Sequence, residues 1–146
     1  MWQPVLMING YLISVLGLAM LIPAAVDMLE TGRNWSLFVT SSIVSLFIGL
    51  SLFLGNRTKI EKITLQQGYL LTAVSWVSLT LLATLPFILS DVTPGFADAL
   101  FEAMSGLSTT GATVITDLEV LPDSILLWRS MLNGLGGVGI VIFAVA

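Results

Sequence analysis

Four stretches of this sequence are each about as long as a bilayer is thick and almost free of charge. They constrain the fold more than anything else in it. They cover residues 5–26, 37–54, 69–89 and 126–146. A spanning α-helix needs roughly 20 mostly apolar residues. In the first stretch only Asn9 and Ser14 are clear polar interruptions. The second carries several Ser and Thr, which a helix tolerates, and Pro86 closes the third near its far end. A water-soluble chain is excluded by polarity, because only 10% of residues are charged, against about a quarter in ordinary soluble domains. The first stretch does not read as a signal peptide: Met1-Trp2-Gln3-Pro4 has no Lys or Arg, and the apolar run is too long. The fold class expected is an all-α integral membrane protein.

The residues between these stretches orient them. The 55–68 connection holds Arg57, Lys59 and Lys62, three of the five basic residues. Cytoplasmic loops are enriched in Lys and Arg, so this loop is expected inside, together with the N-terminus. Residues 27–36 and 90–125 are then expected outside. Trp35 and Trp128 lie at segment ends, where interfacial anchors sit. Trp76 lies within a span and reads as packing. The loop at 55–68 also marks an expected boundary between a two-helix hairpin, 1–55, and a second unit, 56–146.

Several functions are removed by what the chain lacks. It has no Cys and no His, so within it there is no disulfide, no thiolate metal site, no Ser-His-Asp triad and no His-ligated haem or zinc. The net charge of −4 and the absence of a basic stripe exclude nucleic acid as a partner. Gly134-Leu135-Gly136-Gly137-Val138-Gly139 matches a dinucleotide-binding spacing, but that motif needs a strand before it and an acid about 20 residues after it. Close helix contact through small residues explains these glycines better.

The 90–125 connection is more than a loop. Thr93 can cap a helix with Pro94 at its first position. Phe96, Ala97, Leu100, Phe101, Met104 and Leu107 then recur at helical spacing. A helix over 94–107 is about 21 Å long by its rise, too short for a hydrocarbon core of about 30 Å. It either re-enters the membrane or lies at its surface. Ser108-Thr109-Thr110-Gly111-Ala112-Thr113 follows. Non-helical backbone at membrane depth survives only where protein buries it or water reaches it. A short helix followed by Thr/Gly backbone is the plan of a cation filter, in which carbonyl oxygens replace the ion's hydration shell. The helix's C-terminal end would offer partial negative charge to the cation. Spacing alone serves equally well a helix that ends in Gly before a polar loop.

The neighbouring residues weigh against the plainer reading. The relevant strings are Gln67-Gly68-Tyr69-Leu70-Leu71, Ser75-Trp76 and Leu85-Pro86-Phe87. They are followed by Phe101-Glu102-Ala103-Met104-Ser105-Gly106-Leu107-Ser108-Thr109-Thr110-Gly111-Ala112-Thr113, then Leu127-Trp128-Arg129-Ser130 and Gly136-Gly137-Val138-Gly139. In this order they resemble the membrane helix–pore loop–membrane helix unit of the Trk/Ktr/HKT superfamily of potassium transporters, most of all its bacterial TrkH-type branch. The resemblance covers nearly the whole chain. It implies a helical hairpin, then a first pore unit with a helix at 69–89, a re-entrant pore helix at 94–107, a filter at 108–113 and a helix at 126–146. It implies that Thr109, Thr110 and Gly111 lend backbone carbonyls to potassium. Gly111 matches the family's filter glycine, and Ser at this position in the plant branch goes with sodium preference. It also implies a bacterial inner membrane, potassium movement either passive or ion-coupled (symport), and no enzymatic cofactor. The partners it implies are lipid, the remaining pore repeats, a second copy of the complete protein and a cytosolic nucleotide-binding ring. Because a carbonyl filter takes four loops and this chain carries one, the chain is expected to be an N-terminal fragment that does not conduct alone.

Three charged residues and two amides need separate treatment. Asp98 and Glu102 lie four apart on one helix side, where they could form a cation-attracting vestibule; helix N-terminal acids in solvent explain Asp98 better. Arg129, near the outer end of the last helix, either snorkels to the interface or forms an ion pair with a carboxylate such as Glu102. An intramembrane enzyme would need a polar catalytic group inside a span, and only Asn9 and Asn133 offer amides there. The alternative to a transporter is a small non-conducting membrane scaffold.

Overall fold

The computed structural model describes residues 2–30 and 32–145 and is helical throughout, with no strand among the described residues. Helix α1 (Gln3–Ala19) continues almost directly into α2 (Leu21–Glu30), followed by α3 (Trp35–Gly55), α4 (Leu65–Ala83), α5 (Leu85–Leu89), α6 (Phe96–Leu107) and α7 (Asp123–Val145). A short 3₁₀ turn, Leu118–Val120, precedes α7. Among the described residues, four helical rods are long and apolar enough to cross a membrane: Gln3–Glu30, Trp35–Gly55, Leu65–Leu89 and Asp123–Ile142.

Prolines account for the two interrupted rods. Pro23 has no N–H for the carbonyl four residues earlier, and the helix breaks at Met20 and resumes at Leu21. Pro86 breaks the third rod in the same way at Thr84. There the Phe87 N–H bonds Thr84 (3.1 Å), and the Ala83 carbonyl instead accepts the Trp128 indole N–H at 3.2 Å.

The third rod begins at Leu65, four residues before the expected 69. Thr64 and Gln67 form a reciprocal capping box: Thr64 Oγ1 accepts from the Gln67 N–H, and Gln67 Oε1 accepts from the Thr64 N–H. The two bonds satisfy donors that a bare helix start would leave open. The last helix starts at Asp123, not 126. Its expected end at Ala146 lies outside the described residues.

The N-terminal hairpin packs through small residues. A β-carbon on Gly10 would lie 2.7 Å from the Gly49 carbonyl, and one on Gly49 would lie 2.8 Å from the Gly10 carbonyl. Buried Ser41, Ser42, Ser45 and Gly49 make one face of α3, and Ser42 Oγ donates to the Gly17 carbonyl at 2.6 Å. Lipid tails are as apolar as Leu, so close backbone approach and buried hydroxyls, not burial of large side chains, hold such a pair together. The Ser-rich composition of the second stretch is thus an interface. Asn9, one of the two amides considered for chemistry, is buried and accepts from Ser78 Oγ at 2.9 Å, joining α1 to α4.

The core lies where all the rods meet. Leu16, Met20, Phe38, Ala83, Phe87, Ala103, Ile125, Trp128 and Leu132 are among its buried members. Trp128 is fully buried, with its ring edge-on to Phe38 at 6.4 Å between centroids. This corrects the expectation of an interfacial anchor at Trp128. The indole N–H finds its partner inside, on the carbonyl freed by Pro86, and does not need water. Trp35 is 39% exposed at the start of α3, and Trp76 packs against the core.

Asp27 is a second correction. Sequence placed it in the outer connection, but it lies in the last turn of α2 and is 2% exposed. Its Oδ2 accepts the backbone N–H of Asn34 (2.7 Å) and of Trp35 (2.9 Å), and Oδ1 accepts from Ser124 Oγ (3.1 Å). One carboxylate thus caps the start of α3 and ties the hairpin to the first turn of α7. The favourable charge at a helix N-terminus explains why an acid is tolerated there.

Candidate functional site

Helix α6 is twelve residues long, about 18 Å, and cannot cross a hydrocarbon core of about 30 Å. It starts at Phe96 rather than 94. Gly95 is extended (φ −164°, ψ 176°), so it, and not Thr93, stands before the first helical residue. The Thr93 hydroxyl has no hydrogen-bond partner.

The face of α6 that packs is its small-residue face. Ala99, Glu102, Ala103 and Gly106 are buried, while Phe96, Phe101 and Met104 are 57%, 44% and 42% exposed. Periodicity found the large apolar side; the tight contacts are on the other. A β-carbon on Gly106 would lie 2.8 Å from Leu132 Cβ, and one on Gly136 would lie 1.9 Å from the Leu107 carbonyl oxygen. These two glycines let α6 and α7 approach at the end of α6. Gly134 and Gly139 face open space, so close packing accounts for only part of the glycine run.

The backbone turns sharply after Leu107. The Ser108 N–H bonds Met104 (2.8 Å), Thr109 bonds Gly106 (3.0 Å), and Thr110 and Gly111 both bond the Ser105 carbonyl (3.0 and 3.3 Å). Thr109 and Gly111 have positive φ, 57° and 75°. A β-branched residue seldom adopts that region, and strain of this kind persists only where its surroundings hold it. Strand geometry would turn successive carbonyls to opposite sides. Left-handed residues at alternate positions depart from that. Thr109, Thr110 and Gly111 are all exposed. None of their carbonyls accepts a hydrogen bond among the described residues, whereas the Ala112 carbonyl is taken by Ser105 Oγ at 2.6 Å.

Glu102 holds the other end of this loop. It is 1% exposed. Its Oε1 accepts from Thr113 Oγ1 (2.5 Å) and the Val114 N–H (2.7 Å), and its Oε2 accepts from Arg129 Nε at 2.9 Å. Arg129 retains 19% side-chain exposure. The carboxylate is therefore directed at the loop and at α7, not at a solvent-filled vestibule. Both carboxylate oxygens accept hydrogen bonds and one faces a guanidinium, the condition under which a buried charge is tolerated. Asp98 is half-buried in the first turn of α6. Asn133 Oδ1 is buried without a hydrogen-bond partner. No group of His, Cys, Asp and Glu that could hold a metal occurs among the described residues. Ser105, Gly106 and Asp27 were given no role by sequence, and Thr113 entered only as the last residue of the expected filter string. Of the first three, Ser105 carried a signal in its position one turn before the Ser/Thr/Gly string.

Long apolar rods, a helix too short to span and a loop whose carbonyls bond nothing among the described residues define a polytopic helical membrane protein. Comparison with known proteins specifies it further. Residues 35–146 match the TrkH model, described as a cation transport protein, and the chain belongs to that family. It is 38% identical over 143 residues to the Trk system potassium uptake protein TrkH of Halomonas elongata, covering 97% of this chain and 30% of that protein. With TrkH of Escherichia coli K12 it shares 37% identity over 141 residues, 95% of this chain and 29% of that one. The crystal structure of the potassium transporter TrkH from Vibrio parahaemolyticus superposes with a TM-score of 0.94 at 36% identity, covering 99% of this chain and 31% of that one. The chain thus spans about 30% of the length of the relatives it matches. It is a multi-pass protein of the bacterial inner membrane, in a family named for transport and not for catalysis.

Proposed function

We propose that this chain supplies one pore loop of a potassium-uptake subunit, with the carbonyls of Thr109, Thr110 and Gly111 replacing water around the ion. The observation that carries this reading is the set of three adjacent exposed carbonyls that bond nothing, at the end of a half-length helix. Left-handed backbone at Thr109 and Gly111 sets their directions. The names of the relatives, which are potassium uptake proteins, support the same ion.

Within this reading Glu102 and Arg129 brace the loop. The pair ties its C-terminal side to α7, while Ser105 and Gly106 tie its N-terminal side to α6. A ring of carbonyls around an ion needs four such loops, so the other three come from further repeats of the same design. We assign the Arg57–Lys62 side to the cytoplasm by the positive-inside rule. A second copy of the subunit and a cytosolic nucleotide-binding ring are the partners we assign to the complete transporter. Passive and ion-coupled movement of potassium are both compatible with a carbonyl filter.

The test is rubidium uptake into cells deleted for their own potassium systems and carrying the complete transporter that contains this chain. The Gly111→Ser variant should keep uptake but lose preference for potassium over sodium. At φ 75° a side chain costs about 1–2 kcal/mol and shifts the carbonyls. Thr109→Ser, which changes only the side chain, should be milder. Unchanged selectivity in Gly111→Ser would remove the loop from the ion path. A membrane scaffold would show no rubidium flux in any variant.

A further inference from the structure

One end of the bundle carries a groove that the pore loop does not use. It measures about 550 Å³ and opens between the start of α1, the start of α4 and the end of α7. Ile8, Leu12, Leu71 and Ile142 form its apolar walls, with Tyr69 and Ile63 at the rim. Ile63 belongs to the α3–α4 connection, the one segment of the chain with clustered cations. Arg57, Lys59 and Lys62 are all exposed there, and none of them is in an ion pair among the described residues. Glu61 is the one acid between them. Beside these cations Ile60, Ile63 and Leu65 are 43%, 45% and 82% exposed, and Tyr69 is 77% exposed. Apolar and cationic side chains exposed together, with a Tyr at the edge, are the composition of a segment at the headgroup level.

We propose that this groove binds an anionic phospholipid, with an acyl chain along Leu12, Leu71 and Ile142 and the phosphate against Lys59 and Lys62. The charge pattern favours this occupant over the others. Arg57 lies over the Phe53 ring at 5.5 Å, and an apolar protein helix would match the walls but leave Lys59 and Lys62 unanswered. Free phosphate would answer the cations and leave the walls bare. A lipid with a negative headgroup matches both parts, and basic pockets between helices at the cytoplasmic face are known headgroup sites in general. The site is separate from the filter loop and does not depend on its assignment.

The complete transporter that contains this chain, purified in neutral detergent, is titrated with phosphatidylglycerol and with phosphatidylcholine of identical acyl chains, and bound lipid is counted by native mass spectrometry. Phosphatidylglycerol should be retained at a several-fold lower concentration. Each lysine near an anionic surface is worth about fivefold in affinity, so Lys59→Gln with Lys62→Gln should abolish the preference and leave the weaker binding of phosphatidylcholine unchanged. Gly68 lines the groove, and a side chain grown there meets open space. Gly68→Leu should therefore fill the groove and weaken both lipids. Leu is the better helix former, so α4 stays intact, which circular dichroism verifies. Equal retention of the two lipids overturns the proposal. So does unchanged binding in either variant, displacement of the lipid by inorganic phosphate alone, or a dimer whose formation excludes lipid.

Discussion

Replacing Gly136 by Ala adds one methyl group at the point where α7 touches the end of the pore helix. The new β-carbon would lie 1.9 Å from the Leu107 carbonyl oxygen, 2.6 Å from its carbonyl carbon and 2.9 Å from its α-carbon. A comfortable carbon–oxygen contact is about 3.3 Å, so the helices must separate by about 1.4 Å. All three obstructing atoms are backbone, and no rotamer change relieves them. Overpacking of this kind costs typically 1–3 kcal/mol. Ala gains about 1 kcal/mol over Gly in helix propensity; with three backbone atoms in the way the upper end of the overpacking range applies, leaving a net loss of up to about 2 kcal/mol. Gly134 and Gly139 lie on the same helix and face open space. Ala there should be neutral or stabilising by up to about 1 kcal/mol. The assay is unfolding of the purified chain in mixed micelles with rising SDS, followed by circular dichroism. The expected order of stability is Gly134→Ala, wild type, Gly136→Ala. If Gly136→Ala were as stable as Gly134→Ala, the close contact between α7 and Leu107 would be refuted. In the complete transporter the same separation displaces the residue just before the filter string, so rubidium uptake should fall with it.

Three further outcomes are expected. Glu102→Ala leaves Arg129 without its partner and the Val114 N–H unbonded; breaking a buried pair costs about 3–5 kcal/mol. The partial exposure of Arg129 places this case at the lower end, and the double variant with Arg129→Ala should lose less than the sum in the same SDS titration. Asp27→Ala removes the acceptor for Asn34, Trp35 and Ser124 and should cost about 2 kcal/mol, as loss of a strong N-cap does. Asp27→Asn, which keeps an acceptor oxygen, should recover part of it. A single Cys at Lys59 should react with a membrane-impermeant maleimide only in inverted vesicles; labelling in intact cells would reverse the orientation.

Patterns that follow from a short-range rule were legible along the chain. Apolar length announced the four rods. Pro86 announced an interruption, and the helix-length stretch before Ser108 was visibly too short to span. The family was legible in the order of the motifs as well, and the family comparison agrees on the family. The Thr64–Gln67 capping box was present in the sequence and set a helix start four residues earlier than the apolar run suggested. An apolar window is insensitive to polar residues that belong to the first turn.

What only tertiary structure decided is which atoms lie opposite one another. Trp128 looked like an anchor because it stands near a segment end. It is buried because the break at Pro86, more than 40 residues away, frees a carbonyl for its indole. Asp27 looked like loop because it follows an apolar run. It is buried because two backbone N–H groups and Ser124, 97 residues on, converge on it. Glu102 divided between a water-filled mouth, a solvated helix acid and a partner for Arg129; the structure contains that ion pair and adds Thr113 and Val114, which sequence did not offer. Hydropathy is a property of each segment and can be summed along the chain. The environment of a buried charge depends on partners that the chain brings together only when it packs.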